Sequence, residues 1–380
     1  MRQGRTALIN LALIITPILS IEIIIRIAGF IYNDFNHYYL LYGFNKSDMH
    51  LTTNAVVFDG YFKFAPASTI TQGPLADLRI PSQINNIGLR GSSEIDQEKA
   101  GRTIRIITFG GSSTFGYHAR DDHTYPFLLE KKLRSKNTGR NIEVINAGIP
   151  NFDTENILYL FKKELIHYKP DVITIYTGYN DAVAVLDASA WQSAARWLYD
   201  HVAIYVAVQK TLKWATNIEI YSKWSRYVAK PSKSYVDKQI ELHVESYREN
   251  IQETIDLAQE IGALVVLIRQ PIANSYVAEV DRPDYVEGVQ RTKARLSSGE
   301  ALDGRDVTLL IHAALLETLD DLGAENDLAV VDNVSLVDLR KDRLLTYVHL
   351  SEEGNDALAS ALADTLSPLL NEKFPQSETN

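Results

Sequence analysis

Five short runs dense in β-branched residues, each separated from the next by a stretch of helical period, constrain this chain more than any other feature. They are residues 104–109 (IRIITF), 142–145 (IEVI), 172–177 (VITIYT), 263–268 (ALVVLI) and 328–331 (LAVV). Runs that are apolar at consecutive positions, rather than alternate ones, belong to strands buried on both faces. Between them, Thr124-Tyr125-Pro126 sets a cap and a first-turn proline for a helix running to Leu133. Residues 156–167 and 246–261 follow at helical period, Gly262 is placed to end the second of these, and residues 355–370 close the chain with an apolar-faced helix. This alternation predicts an α/β fold: a five-stranded parallel sheet in a flavodoxin-like three-layer α/β/α arrangement, with ligands bound at the carboxyl ends of the strands.

The first thirty residues follow a different rule. Residues 7–21 carry no charge, and the apolar character continues past Glu22 and Arg26 to Ile31. About 20 helical residues cross a hydrocarbon core, so the stretch 7–31 is long enough if Glu22 and Arg26, four apart on one helix face, pair near its end. Arg2 and Arg5 precede the run and no Lys or Arg lies between Ile27 and Lys46. That asymmetry predicts a single-pass anchor with a cytoplasmic N-terminus and the remainder periplasmic or extracellular. A cleaved signal peptide and a buried helix are the competing readings; residues 18–22 offer no small-x-small cleavage site.

Residues 33–100 hold many turn formers and read as a connector wrapping a domain that spans 101–372. Two stretches exceed a minimal five-strand unit. Residues 182–235 contain all four tryptophans, Trp191, Trp197, Trp214 and Trp224, and read as a helical insertion. It would bury its rings internally, cap a site, or rest on a bilayer. Residues 273–325, polar and then helical over 307–322, read as a crossover insertion. Lys and Arg number 38 against 48 Asp and Glu, a net charge of −10, which argues against a nucleic-acid partner. The absence of cysteine removes disulfides, thiolate nucleophiles and Cys-ligated metals. Asn45-Lys46-Ser47 and Asn333-Val334-Ser335 match glycosylation acceptor tripeptides.

The chemistry-bearing blocks sit just past the strand ends. Phe109-Gly110-Gly111-Ser112-Ser113-Thr114 follows the first strand, and its glycines permit a sharp turn presenting the Ser112 hydroxyl. Asn146-Ala147-Gly148 follows the second strand, Gly178-Tyr179-Asn180-Asp181 the third, and Val348-His349 lies beyond the last. Each block alone is common in structural turns and caps. Their order lets all four converge on one crevice.

In that order they resemble the SGNH (GDSL-type) hydrolase superfamily, over roughly residues 102–370. The resemblance implies a nucleophile at Ser112 and a base at His349. It also implies an oxyanion hole from the backbone N–H groups of Ser112 and Gly148 and the Asn180 amide. Asn86-Ile87-Gly88-Leu89-Arg90-Gly91, after an apolar N-terminus, looks like the bacterial membrane-anchored branch. Two departures stand out. The Asp of Gly-Asp-Ser is Gly111, and the Asp of Asp-x-x-His is Thr346, which has no carboxylate. Asp342 could substitute as third triad member, a backbone carbonyl could hold His349 in a dyad, or catalysis is lost.

The expected function is therefore an esterase or deacylase working on an O-acyl ester of a small molecule, lipid or carbohydrate through an acyl-enzyme. An acyltransferase acting on an envelope polysaccharide, or a non-catalytic binding or assembly factor, are the alternatives. No metal or cofactor is called for: HExxH, the phosphate-loop motif and paired helical histidines are all missing from the sequence. His118 and His123 read as surface histidines with pocket lining as the alternative, and Asp121, Asp122 and Asp153 as loop or cap residues.

Overall fold

The computed structural model describes residues 2–32, 55–58, 62–64, 69–70, 82–136, 139–183, 198, 202–216, 228–272, 285–338, 340 and 342–375. The chain divides into two compact units: residues 1–62 with 187–226, and residues 63–186 with 227–380.

The larger unit is built on a five-stranded sheet of β1 (Ile104–Gly110), β2 (Ile142–Gly148), β3 (Val172–Thr177), β4 (Leu264–Arg269) and β5 (Ala329–Val331). Every neighbouring pair is parallel, in the order β2-β1-β3-β4-β5. The sheet is the flavodoxin-like three-layer α/β/α fold that the strand–helix alternation predicts. All seven residues of β1 and all six of β3 are buried, which is why those runs carry no polar alternation.

Alternate strand residues face two helical layers. On one face Ile104, Ile106, Val172 and Val266 pack with Leu129 and Leu133 of the Tyr125–Lys136 helix and with Leu358, Leu362 and Leu366 of the Glu352–Lys373 helix. Each such buried aliphatic side chain stabilises the fold by roughly 1.5–3 kcal/mol. On the other face Phe109 meets Phe161 edge-on at 5.3 Å, and Phe161 belongs to the Thr154–Lys163 helix. The Lys233–Glu260 and Gly304–Glu325 helices complete this layer. The Gly304–Glu325 helix buries Val307, Leu310, Ile311, Leu315 and Leu319 and starts from a reciprocal Asp303–Asp306 capping box. This part of the expected crossover insertion is therefore a structural layer.

Strand β2 runs three residues beyond its expected end, so Asn146, Ala147 and Gly148 lie inside the sheet rather than after it. Gly148 pairs with Gly110 in the ladder. The strand order reverses at β1, whose neighbours β2 and β3 lie on opposite sides. The carboxyl ends of these central strands form the crevice where open α/β sheets bind ligands.

In the smaller unit one helix, Arg2–Tyr32, runs through the whole stretch expected as an anchor. Arg26 pairs with Glu22 at 2.7 Å, as their spacing predicts. Glu22 also accepts the backbone N–H groups of Ala203 and Ile204, both at 2.9 Å, and so caps the Ala203–Thr216 helix. Among the described residues no helix is long and apolar enough to cross a membrane. The tryptophan side chains of the expected insertion and Asn45 lie outside what is described. Asn333, in contrast, is fully buried with its amide donating to Tyr176 Oη at 2.9 Å, so this tripeptide is not a glycosylation acceptor.

Candidate active site

Ser112 opens a one-turn helix, Ser112–Phe115, directly after β1. Gly111 precedes it for a steric reason. A Cβ at that position would stand 2.7 Å from Asn180 Nδ2 and 3.2 Å from the Phe152 carbonyl oxygen. In this arrangement any side chain at 111, an Asp included, would meet the Asn180 amide. Ser112 Oγ lies 2.9 Å from His349 Nε2, although the two are 237 positions apart.

His349 sits in a tight loop closed by a hydrogen bond from Leu345 N–H to the His349 carbonyl at 2.9 Å. The neighbour of His349 Nδ1 is Thr346 Oγ1, at 2.9 Å. The same hydroxyl oxygen accepts the backbone N–H of His349 at 3.0 Å and of Val348 at 3.3 Å. Thr346 thus performs the loop-shaping task that an aspartate carboxylate would share. Its charge-bearing task goes unfilled. A hydroxyl oxygen has two lone pairs and one proton. Either atom can donate across the Thr346–His349 contact, because a hydroxyl both gives and accepts a proton. A general base needs the proton on Nδ1, and a hydroxyl, unlike a carboxylate, does not enforce that tautomer.

Asp342 does not replace the missing carboxylate. It forms an exposed pair with Arg340 at 2.8 Å, while its backbone carbonyl accepts the hydroxyl of Ser351, the residue that caps the last helix. Among the described residues, His349 Nδ1 meets the Thr346 hydroxyl and no backbone carbonyl.

On the other side of Ser112, Asn180 Nδ2 donates to the Phe152 carbonyl at 2.7 Å, which fixes its amide beside the backbone preceding the nucleophile. Gly148 plays a different part from the expected one. Its N–H donates to Asn146 Oδ1 at 2.9 Å, a side chain two residues back in the same strand. Its missing side chain is what counts, since a Cβ there would come within 2.1 Å of Phe115 N. The glycine lets β2 lie against the nucleophile helix. Asp181 is buried and accepts Thr154 N–H at 2.8 Å and the hydroxyls of Thr154 and Thr177, both at 2.7 Å. Burial raises its pKa. Asp181 holds the β3 loop and is remote in role from the proton chemistry.

Arg90, 4% exposed, was visible in sequence only as part of a motif. Its guanidinium donates to the carbonyls of Phe115, Gly116 and Ala119 at 2.7–2.8 Å and pairs with Asp121 at 2.8 Å. Only a planar five-donor group can gather three carbonyls and a carboxylate in this way. It clamps the end of the nucleophile helix. Asp153 caps the Thr154–Lys163 helix through Asn156 N–H. His123 stays at the surface between Asp122 and Arg120. His118 departs from the surface reading: its ring centroid is 5.6 Å from that of His349, and Tyr117 stands 5.0 Å from His349. Tyr347, whose ring lies 4.9 Å from that of Tyr179, extends this aromatic wall.

Burial lowers the His349 pKa from 6.5 to about 3, with the neighbouring His118 acting in the same direction. The neutral ring therefore persists far into acid. The acid limb of kcat/KM is expected below pH 5 rather than near the ordinary histidine value. The folded state releases the proton that the unfolded chain holds between pH 3 and 6.5, so this group's stabilising contribution is complete above 6.5 and declines below it. A pH–rate profile with its acid limb at 6–7 would contradict this placement.

A hydroxyl and an imidazole in contact at the carboxyl end of β1, with an anchored amide alongside, are the elements of an acyl-transfer site. The family model described as "GDSL-like Lipase/Acylhydrolase family" matches residues 108–357, from within β1 to just past His349. The chain belongs to this family of esterase- and lipase-like acylhydrolases. Among solved structures it is similar to the lipase/acylhydrolase from Enterococcus faecalis, at 20% identity and a TM-score of 0.41, covering 70% of this chain and 96% of that one. The acetyl xylan esterase AlAXEase is similar at 17% identity and a TM-score of 0.39, with 69% and 100% covered. TesA is similar at 15% identity and a TM-score of 0.42, with 70% and 99% covered. No curated protein matches the chain.

Proposed function

We propose that the protein is a serine esterase or deacylase that cleaves an O-acyl ester through an acyl-enzyme on Ser112. The observation that carries this reading is the 2.9 Å contact between Ser112 Oγ and His349 Nε2. With the ring proton on Nδ1, Nε2 takes the Ser112 proton as Oγ attacks the ester carbonyl. The Ser112 N–H and the second N–H of Asn180 Nδ2 receive the oxyanion. Imidazolium then protonates the departing alcohol, and water resolves the acyl-enzyme by the reverse sequence. The uncharged partner of Nδ1 makes this a slow hydrolase.

The substrate fits a class with a ring or chain that can lie along Tyr117, Tyr347 and Tyr179, such as an acylated carbohydrate or lipid. The membrane reading rests on the apolar N-terminal helix. Leu13, Ile18, Leu19, Ile23 and Ile24 are each more than half exposed, while Glu22 and Arg26 satisfy one another. Were this helix to insert, the arginines that precede it would favour a hydrolase unit outside the cytoplasm.

The test is a fluorophosphonate probe with peptide mapping, run beside hydrolysis of p-nitrophenyl acetate and carbonate extraction of membranes. Labelling of Ser112 with slow turnover is expected, and so is retention in the extracted membrane. A folded protein that leaves Ser112 unlabelled would overturn the enzymatic reading. Acyl transfer to an added oligosaccharide in preference to water would reassign it to a transferase.

A further inference from the structure

Gln270 directly follows β4, far in sequence from every motif block, and is 5% exposed. Its Oε1 accepts the backbone N–H of Tyr179 at 2.7 Å, next to Asn180. Its Nε2 donates to Ser113 Oγ at 3.2 Å. Ser113, 2% exposed, passes the bond on by donating to the Val348 carbonyl at 3.0 Å, next to His349. One buried amide thus connects the residues adjoining Ser112, Asn180 and His349. We infer that Gln270 and Ser113 are positioning residues that hold the nucleophile, the oxyanion amide and the base in mutual register.

The direction of each bond follows from the groups present. The Tyr179 N–H can only donate, so it occupies Oε1 and turns Nε2 toward Ser113. Nε2 can only donate in turn, so the Ser113 proton is directed onward to the Val348 carbonyl. Buried chains of this polarity strengthen one another, and an unmatched member is costly. A carboxylate at 270 would keep the Tyr179 bond and lose the donor to Ser113. The same arrangement explains why two adjacent serines do not compete. Ser113 is buried with its proton committed, and only Ser112 meets the imidazole.

The inference rests on the proposed function, and the experiment separates the two. Gln270→Glu cuts the Gln270–Ser113 bond, and Ser113→Ala cuts it together with the Ser113–Val348 bond, so each should lower kcat at least about tenfold with KM within about twofold, because displacement by a fraction of an ångström suffices. The double variant should lose no more than Ser113→Ala alone. Gln270→Met cuts both bonds of the amide and should lower kcat about a hundredfold. If it does not fold, the two milder variants carry the test. Unchanged kcat in folded Ser113→Ala, with only the melting temperature lowered, would overturn the inference. A second readout works without turnover: the side-chain 15N resonances of His349 should shift in Ser113→Ala. Unshifted resonances would overturn positioning even if no ester is cleaved, whereas an unlabelled Ser112 with shifted resonances would fault the enzymatic reading alone.

Discussion

Thr346→Asp is expected to raise kcat for p-nitrophenyl acetate by roughly 10²–10³-fold, part of the approximately four orders of magnitude that a triad carboxylate contributes. The reason lies in proton placement. Thr346 Oγ1 already accepts the His349 and Val348 N–H groups, and its hydroxyl can either give a proton to Nδ1 or take one. An ionised carboxylate has no proton to give and about four acceptor positions. It can keep both backbone bonds and accept Nδ1–H as well. That fixes the ring with Nε2 free to take the Ser112 proton, and stabilises the imidazolium that forms. The His349 pKa should rise from about 3, carrying the acid limb of kcat/KM upward with it. Thr346 is half-buried, so a charge there keeps part of its hydration. A folded Thr346→Asp protein with wild-type kcat and an unmoved acid limb would show that residue 346 does not set the tautomer.

Ser112→Ala should have an effect that depends on residue 346. In the natural chain, where the carboxylate is already lacking, removing the hydroxyl should lower turnover by about 10²–10³-fold. In the Thr346→Asp background it should lower it by about 10⁵-fold, to the same floor. Members of a triad act as a unit, so their losses do not add; the floor is what the oxyanion donors and binding supply alone. Rates measured in all four proteins with one ester decide the matter. Equal factors in the two backgrounds would mean that Ser112 and residue 346 act independently. Activity surviving in both would remove Ser112 from the mechanism.

Much of this site was legible before any coordinates, and the failures share a cause. Ser112, Asn180 and His349 follow from motif blocks because each occupies a turn whose chemistry is local. The Gly148 N–H is not an open donor for a reason of side-chain packing: the Asn146 amide oxygen, two residues back in the same strand, takes it. Asp342 was a candidate because proximity along the chain carries no direction. Its partner is Arg340, two residues away. Gln270 gave no signal at all, since a lone Gln after a strand resembles any loop residue.

From its sequence alone, then, this protein's sheet and layer helices were determined, because β-branched runs and helical periods act over a few neighbouring residues, and its family was legible in the order of its motif blocks. Only the tertiary structure decided which groups meet: that Thr346 stands at His349 Nδ1, that Gln270 joins three loops, and that Glu22 caps a helix 181 positions away. Such bonds depend on the distance between groups brought together by packing, and an order of residues along a chain does not contain that distance.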